Sequence, residues 1–122
     1  MEVLVIHGRL PGLNEYTKAC RSNAHVGAKM KKNAEEAVIA VINEQLKHVK
    51  ILRPVEMDFL WIEKDRRRDP DNVSSFGRKV ILDALVKAGV LPDDSFRYVK
   101  GFNDSFLVDS VYPRIEVKIK GV

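Results

Sequence analysis

The chain has 122 residues, 45% of them hydrophobic and 31% charged, with 21 Lys and Arg against 17 Asp and Glu for a formal net charge of +4. That is enough for one core and too little for two, and no apolar run approaches the ~20 residues that a membrane-spanning helix needs. The single cysteine, Cys20, excludes an internal disulfide and a cysteine metal cluster, and reads as a small, half-buried side chain in a reduced cytoplasm.

The opening MEVLVIHG starts with an acid and a short apolar run, unlike the basic start and longer core of a signal peptide, which again points to the cytoplasm. Glu2 to Gly8 alternates weakly and is rich in Val, Leu and Ile, which predicts a first strand. Arg9 to Asn23 carries Pro11, Gly12, Asn14, Ser22 and Asn23 and reads as loop. From about His25 to His48, Val26, Met30, Ala34, Ala37, Val38, Val41, Ile42 and Leu46 recur at spacings of three and four. That is the buried face of a long helix, with Lys31, Lys32, Glu35 and Glu36 falling off it.

Pro54 to Lys64 predicts a second strand, in which Val55, Met57, Phe59 and Trp61 alternate with Glu56, Asp58 and the apolar Leu60 and Ile62. Phe59 and Trp61 have the shape of base-stacking platforms, but core packing explains them more simply. A second helix runs from near Val73 to Ala88, burying Val73, Phe76, Val80, Ile81, Ala84, Leu85 and Ala88. Asp71 or Asn72 can cap its start, and Gly89 can close its end in a left-handed conformation. Phe96 to Phe102 and Pro113 to Lys120 are two more strands, joined by a loop around Asn103 to Ser110. The order β-α-β-α-β-β, ending in two successive strands that imply an antiparallel pair, predicts one α+β domain over 1–122, about four strands packed with two helices.

The positive excess is mild, so its distribution matters more than its total. Lys29-Met30-Lys31-Lys32 is explained by a solvated helix face. Lys64-Asp65-Arg66-Arg67-Arg68 is less bland, because it runs directly into Asp69-Pro70-Asp71-Asn72. Pro70 biases Asp69 towards an extended backbone and holds its own φ near −65°, a rigidity that suits two carboxylates facing one ion. Magnesium takes oxygen ligands and often only one or two carboxylates, and neighbouring arginines can hold a phosphate diester beside it. A plain alternative is that the acids cap a helix and the arginines neutralise them. Asp93-Asp94 follows the second helix in Leu91-Pro92-Asp93-Asp94-Ser95, which suits a turn or a second acidic pair for metal-assisted phosphodiester chemistry. His7, His25 and His48 are scattered without metal-ligand spacing.

These segments together resemble the RusA family of Holliday-junction resolvases, which carry an Arg-rich stretch, D-x-D-N, a helix with a D-A-L and A-G signature, and then an acidic pair. Here the matches are RRRDPDN at 66–72, DALVKAG at 83–89 and DD at 93–94, with Pro11, Asn14 and Tyr16 a weaker match to the loop after the first strand. The resemblance implies a RusA-like fold and a metal-dependent, structure-selective DNA endonuclease. Such an enzyme resolves four-way junctions in recombination and repair, as a homodimer, with Mg²⁺ as cofactor and Mn²⁺ able to substitute, in a bacterial or phage setting. It implies Asp69, Asp71 and Asp94 as the catalytic, metal-binding acids, and Lys79, four residues before Asp83, as the assisting cation. Between Asp71 and Asp83 the chain holds about one helical turn more than the best-known member. Lys79 therefore fits when counted from Asp83 and not from Asp71, and Arg78 stands beside it as a substitute. Arg66, Arg67 and Arg68 would grip the DNA backbone, and Lys29, Lys31 and Lys32 would make longer-range junction contacts. Two other classes fit the same residues: a branched-DNA-binding module without catalysis, and another Mg-dependent nuclease acting on RNA or flaps.

Geometry adds a condition. A helix of about sixteen residues is roughly 24 Å long, whereas the path from Gly89 to Asp94 spans at most ~17 Å. Asp94 therefore reaches Asp71 only if the helix starts late, near Phe76 or beyond, or if it serves the site of a second subunit.

Overall fold

The computed structural model describes all residues from Met1 to Val122. In chain order the elements are β1 (Glu2–His7), α1 (Leu13–Ser22), α2 (Ala24–Gln45), β2 (Val55–Glu63), α3 (Pro70–Lys87), β3 (Val99–Val108) and β4 (Arg114–Gly121). They form a small α+β domain with a four-stranded mixed sheet in the order β1-β4-β2-β3 and three helices. Both β1 and β2 run antiparallel to β4, while β2 and β3, joined through α3, are parallel.

Strict alternation drives the layering. Leu4 and Ile6 of β1, Val55, Met57, Phe59 and Trp61 of β2, and Ile115, Val117 and Ile119 of β4 all join one buried cluster with Val38 and Ile42 of α2 and Val80, Ile81 and Leu85 of α3. Phe59 and Trp61 are core residues at 1% exposure each, stacked at 5.6 Å between ring centroids. Gly77 explains how closely α3 lies on β2, since a Cβ there would sit 2.9 Å from the Trp61 ring. No helix is long and apolar enough to cross a membrane.

The segment expected as loop from Arg9 to Asn23 contains helix α1. Its breaker residues are caps: the Glu15 side chain accepts from the Gly12 N–H at 3.2 Å, a capping-box bond, and Asn23 is at once the last cap of α1 and the first of α2. One extended residue, whose Oδ1 accepts from the His25 N–H, thus joins two helices with no loop between them. The expected long helix is α2, but its faces are partly reassigned: Val26 and Ala37 are exposed, while Lys31 is half-buried and Glu35 fully buried. They point at α3, where ionic partners replace apolar ones. Cys20, expected half-buried, is exposed.

At the far end, β3 begins later than expected and runs through most of the supposed loop, from Val99 to Val108. The polar residues that read as loop are tied as strand side chains: Asn103 donates to Asp58, and Asp104 accepts from Trp61 Nε1 at 2.9 Å. The last two strands are not an antiparallel pair, because β4 passes the end of β2 and inserts between it and β1. Asp109 turns the chain there, accepting from the Val111 and Tyr112 N–H groups. The apolar alternation of β4 fits a central place, and the polar centre of β3 fits an edge.

Candidate active site

Helix α3 begins at Pro70, not late, with Asp69 at its N-cap position in an extended conformation (φ −69°, ψ 155°). Proline at the first helical position needs no N–H partner and pre-sets φ, so the residue order Asp-Pro-Asp itself places one carboxylate at the cap and one in the first turn. Neither acid caps as expected. The Asp69 side chain makes no capping bond, and of Asp71 only the main-chain carbonyl is engaged, by Ser75 Oγ at 2.7 Å. Asn72 is turned away from its own helix and accepts from the Asn14 N–H at 2.8 Å. Both carboxylates are left exposed at the positive end of a helix dipole.

What fixes this helix start is Arg68. Its guanidinium forks onto Glu63, with Nε to Oε1 at 2.7 Å and a second bond to Oε2 at 2.9 Å, and donates to the Leu10 carbonyl at 3.0 Å. The end of β2, the loop after β1 and the entry to α3 are thereby clamped together in a site where both side chains are about nine-tenths buried. Gly12 is the close-approach residue of the clamp: a Cβ would stand 2.6 Å from Asn72 Oδ1 and 3.1 Å from the Arg68 guanidinium. Tyr16 stacks on Phe76 at 4.2 Å, so Asn14 and Tyr16 both dock against the start of α3.

The other end of α3 closes in a Schellman arrangement, as expected at Gly89 (φ +80°), with the Gly89 N–H on Val86 and the Val90 N–H on Leu85. The chain then turns back along the helix, and Asp94 lies 3.7 Å from Lys79. Lys79 also holds Asp83 at 3.1 Å, Asp83 accepts from Lys31 at 2.8 Å, and Lys31 in turn pairs with Glu35, which binds Lys87. An alternating chain of three ammonium groups and three carboxylates thus links α2, α3 and the Asp94 loop. Burial pushes the Asp83 carboxyl up, but the hydrogen bonds from Lys31 and Lys79 outweigh it and hold the group below the usual carboxylate range. The hydrogen bonds to Asp83 hold Lys31 and Lys79 above the usual lysine range.

The predicted residues are therefore only partly brought together. Asp69 shares an open pocket of about 420 Å³ with Arg66, beside Asp65, Glu63, Phe106, Leu107 and Val108. Asp71 and Lys79 are eight residues apart, about 12 Å along the axis, and Asp94 sits at the Lys79 level. No three acidic, histidine or cysteine side chains converge to hold a metal within one chain. The free oxygens of Asp69 and Asp71 suit a hard cation such as Mg²⁺, and a third ligand is not supplied beside them by the same chain.

Among the cations, Arg66 and Arg67 are exposed, whereas Arg68, expected as a DNA contact, is engaged by Glu63 in the clamp. Lys31 is engaged likewise by its Asp83 and Glu35 partners, while Lys29 and Lys32 are exposed. Arg78 pairs with Asp104 at 2.7 Å and lies over the Phe102 ring, so Lys79 is the freer of the two neighbours. Two residues were missed. Asp65 lines the Asp69 pocket and was legible only as a neighbour of the motif; Arg9 shares a groove with Lys29 beside Pro11, with no signal in the sequence. No protein-family model matches this chain, and no curated protein does.

Proposed function

We propose that this chain is a metal-dependent, structure-selective DNA endonuclease of the RusA type, cutting four-way junctions by paired phosphodiester hydrolysis as a homodimer. The observation that carries the reading is the pair Asp69 and Asp71: two carboxylates with no side-chain partner, on a rigidly clamped helix start, next to the exposed Arg66 and Arg67. Exposed and without an ion-pair partner, unlike Asp83, the two carboxylates keep their oxygens open to a hard cation. The docking of Asn14 and Tyr16 against that frame supports the resemblance, because its weaker and stronger motifs meet in space.

In this reading Asp69 and Asp71 hold Mg²⁺, which when bound polarises a phosphate and lowers the pKa of water. Arg66 and Arg67 hold the DNA backbone beside them, and Lys29 and Lys32 extend the contact across α2. Lys79 orients Asp94 and offers its remaining donors to phosphate. Asp94 serves the Asp69 and Asp71 of a second subunit, since it sits at the level of Lys79, about 12 Å along the helix axis from its own Asp71.

Synthetic four-way junctions are the test. Wild-type protein with Mg²⁺ or Mn²⁺ is expected to cut them in symmetric pairs, and Asp71→Asn to leave them intact yet bound. Uncut junctions with either metal overturn the reading, and Asp71→Asn behaving as wild type in every assay favours a non-catalytic binding module. Preferential cleavage of RNA or flaps in the same panel redirects it to another Mg-dependent nuclease. Mixing Asp71→Asn with Asp94→Asn subunits is expected to restore cutting; no recovery despite subunit exchange assigns Asp94 to its own chain.

A further inference from the structure

The sheet has two open edges, and the chain treats them differently. At β1 a side chain closes the edge: Gln45 donates to the Val5 carbonyl at 2.7 Å and accepts from the Val5 N–H at 2.8 Å, imitating a neighbouring strand. At β3 nothing does so. This ten-residue strand is hydrogen-bonded to β2 alone, and its outer residues from Phe102 to Val108 are all exposed, including four large apolar ones. The Asp109 N–H reaches the Glu63 carbonyl on β2, so by alternation the N–H and C=O groups of Phe102, Asp104, Phe106 and Val108 point away from the sheet.

Proteins normally blunt such an edge with proline, bulges or outward charge. Between Gly101 and Val108 there is no proline, and the one charged side chain, Asp104, is turned inward onto Trp61 and Arg78. We infer that the free edge of β3 pairs antiparallel with β3 of a second copy, joining two four-stranded sheets into one of eight strands. The strand is self-complementary for that purpose. A two-fold axis at Asp104 sets Phe102 opposite the partner's Phe106 twice over, with the outward backbone groups of Phe102, Asp104 and Phe106 all matched, and the two Asp104 charges at the axis are each already held by Arg78. The pair also closes: its outermost strands are two copies of β1, each plugged by Gln45, so association stops at two.

The inference rests on the sheet edge and not on the nuclease reading, and it is measured without DNA or metal. If both hold, antiparallel pairing lays the start of one β3, which follows the Asp94 loop, beside the end of the other, which flanks Asp69.

Sedimentation of the full chain is expected to give twice the 13.9 kDa chain mass. Amide exchange at Phe102, Asp104 and Phe106 is expected to be slow in the dimer and about tenfold or more faster on dilution. Phe106→Pro removes an outward N–H that the β2 ladder does not use and should weaken association by about tenfold or more with unchanged circular dichroism. Should that variant unfold, Phe106→Lys reads the same surface. A wild-type monomer at the highest soluble concentration, open-ended oligomers, or a dimer in which those three amides exchange freely each overturns the inference.

Discussion

At the start of α3 the Asp69 and Asp71 carboxylates stand exposed without side-chain partners, whereas further along the same helix Asp83 and Asp94 are threaded into a chain of lysines. The first end combines a rigid backbone with unspent charge, and the second spends its charge holding elements together. Ion pairs at partly buried positions contribute to stability only while every member has a partner, so the two ends should respond to mutation in opposite ways. One end should lose activity and keep its fold; the other should lose stability first.

Arg68→Ala is the sharpest way to break the distinction, because the clamp serves both. Leaving Glu63 buried without its partner should cost about 3–5 kcal/mol in denaturant unfolding and loosen the helix start, so cleavage falls even in the folded fraction. A loss under about 1 kcal/mol would mean the fork is not what fixes Asp69. Asp71→Asn comes next. Junction cleavage should drop on the order of a hundredfold or more, while unfolding free energy moves by less than about 1 kcal/mol, the scale of a helix-dipole contact. Equal losses of both would place Asp71 among the structural acids. Asp83→Asn should do the reverse, lowering stability by about 1–3 kcal/mol, since Lys31 and Lys79 lose their shared acceptor. Its effect on cutting should be smaller than that of Asp71→Asn.

The smallest effect is in pH. Asp83 and Asp58 titrate below their ordinary values, Asp83 as described and Asp58 through Lys120 and Asn103, so their contribution is present above about pH 4 and fades as pH falls through their folded values. Lys31 and Lys79 titrate above theirs, so their contribution is present below about pH 10 and is lost as pH rises through the folded values. The melting temperature should be flat from about pH 5 to 9 and decline on both sides. Asp83→Asn should shallow both limbs; unchanged limbs would show that the network contributes nothing to folding.

Much of this organisation was legible in the residues. The alternation of Val55, Met57, Phe59 and Trp61, the three-and-four spacing from Ala34 to Leu46, and Gly89 as a helix stop all depend on local period and backbone freedom. The acids around Pro70 were equally visible, because a proline imposes its conformation on its neighbours wherever it stands. What misled were residues with two uses. Gly12 and Asn23 read as loop and serve as helix caps, while Asn103 and Asp104 read as turn and lie in a strand.

Arg68 and Lys31 show the same limit among the charges. Each looked like part of a basic cluster free for phosphate, and each is held elsewhere: Lys31 by Asp83 at a separation of 52 residues, and Arg68 by Glu63 five residues back and by the Leu10 carbonyl 58 residues away. The sequence by itself determined most of the segments that alternate or coil, where helix α3 stops, and that two carboxylates stand near its head, because those depend on neighbours a few residues away. The helix start, expected near Val73, lies at Pro70. Only the tertiary structure decided which charges are spent and which are free, that β4 inserts between β1 and β2, and that Asp94 lies apart from Asp71. Those outcomes depend on long-range pairing, where the partner is chosen by packing and no local pattern records it.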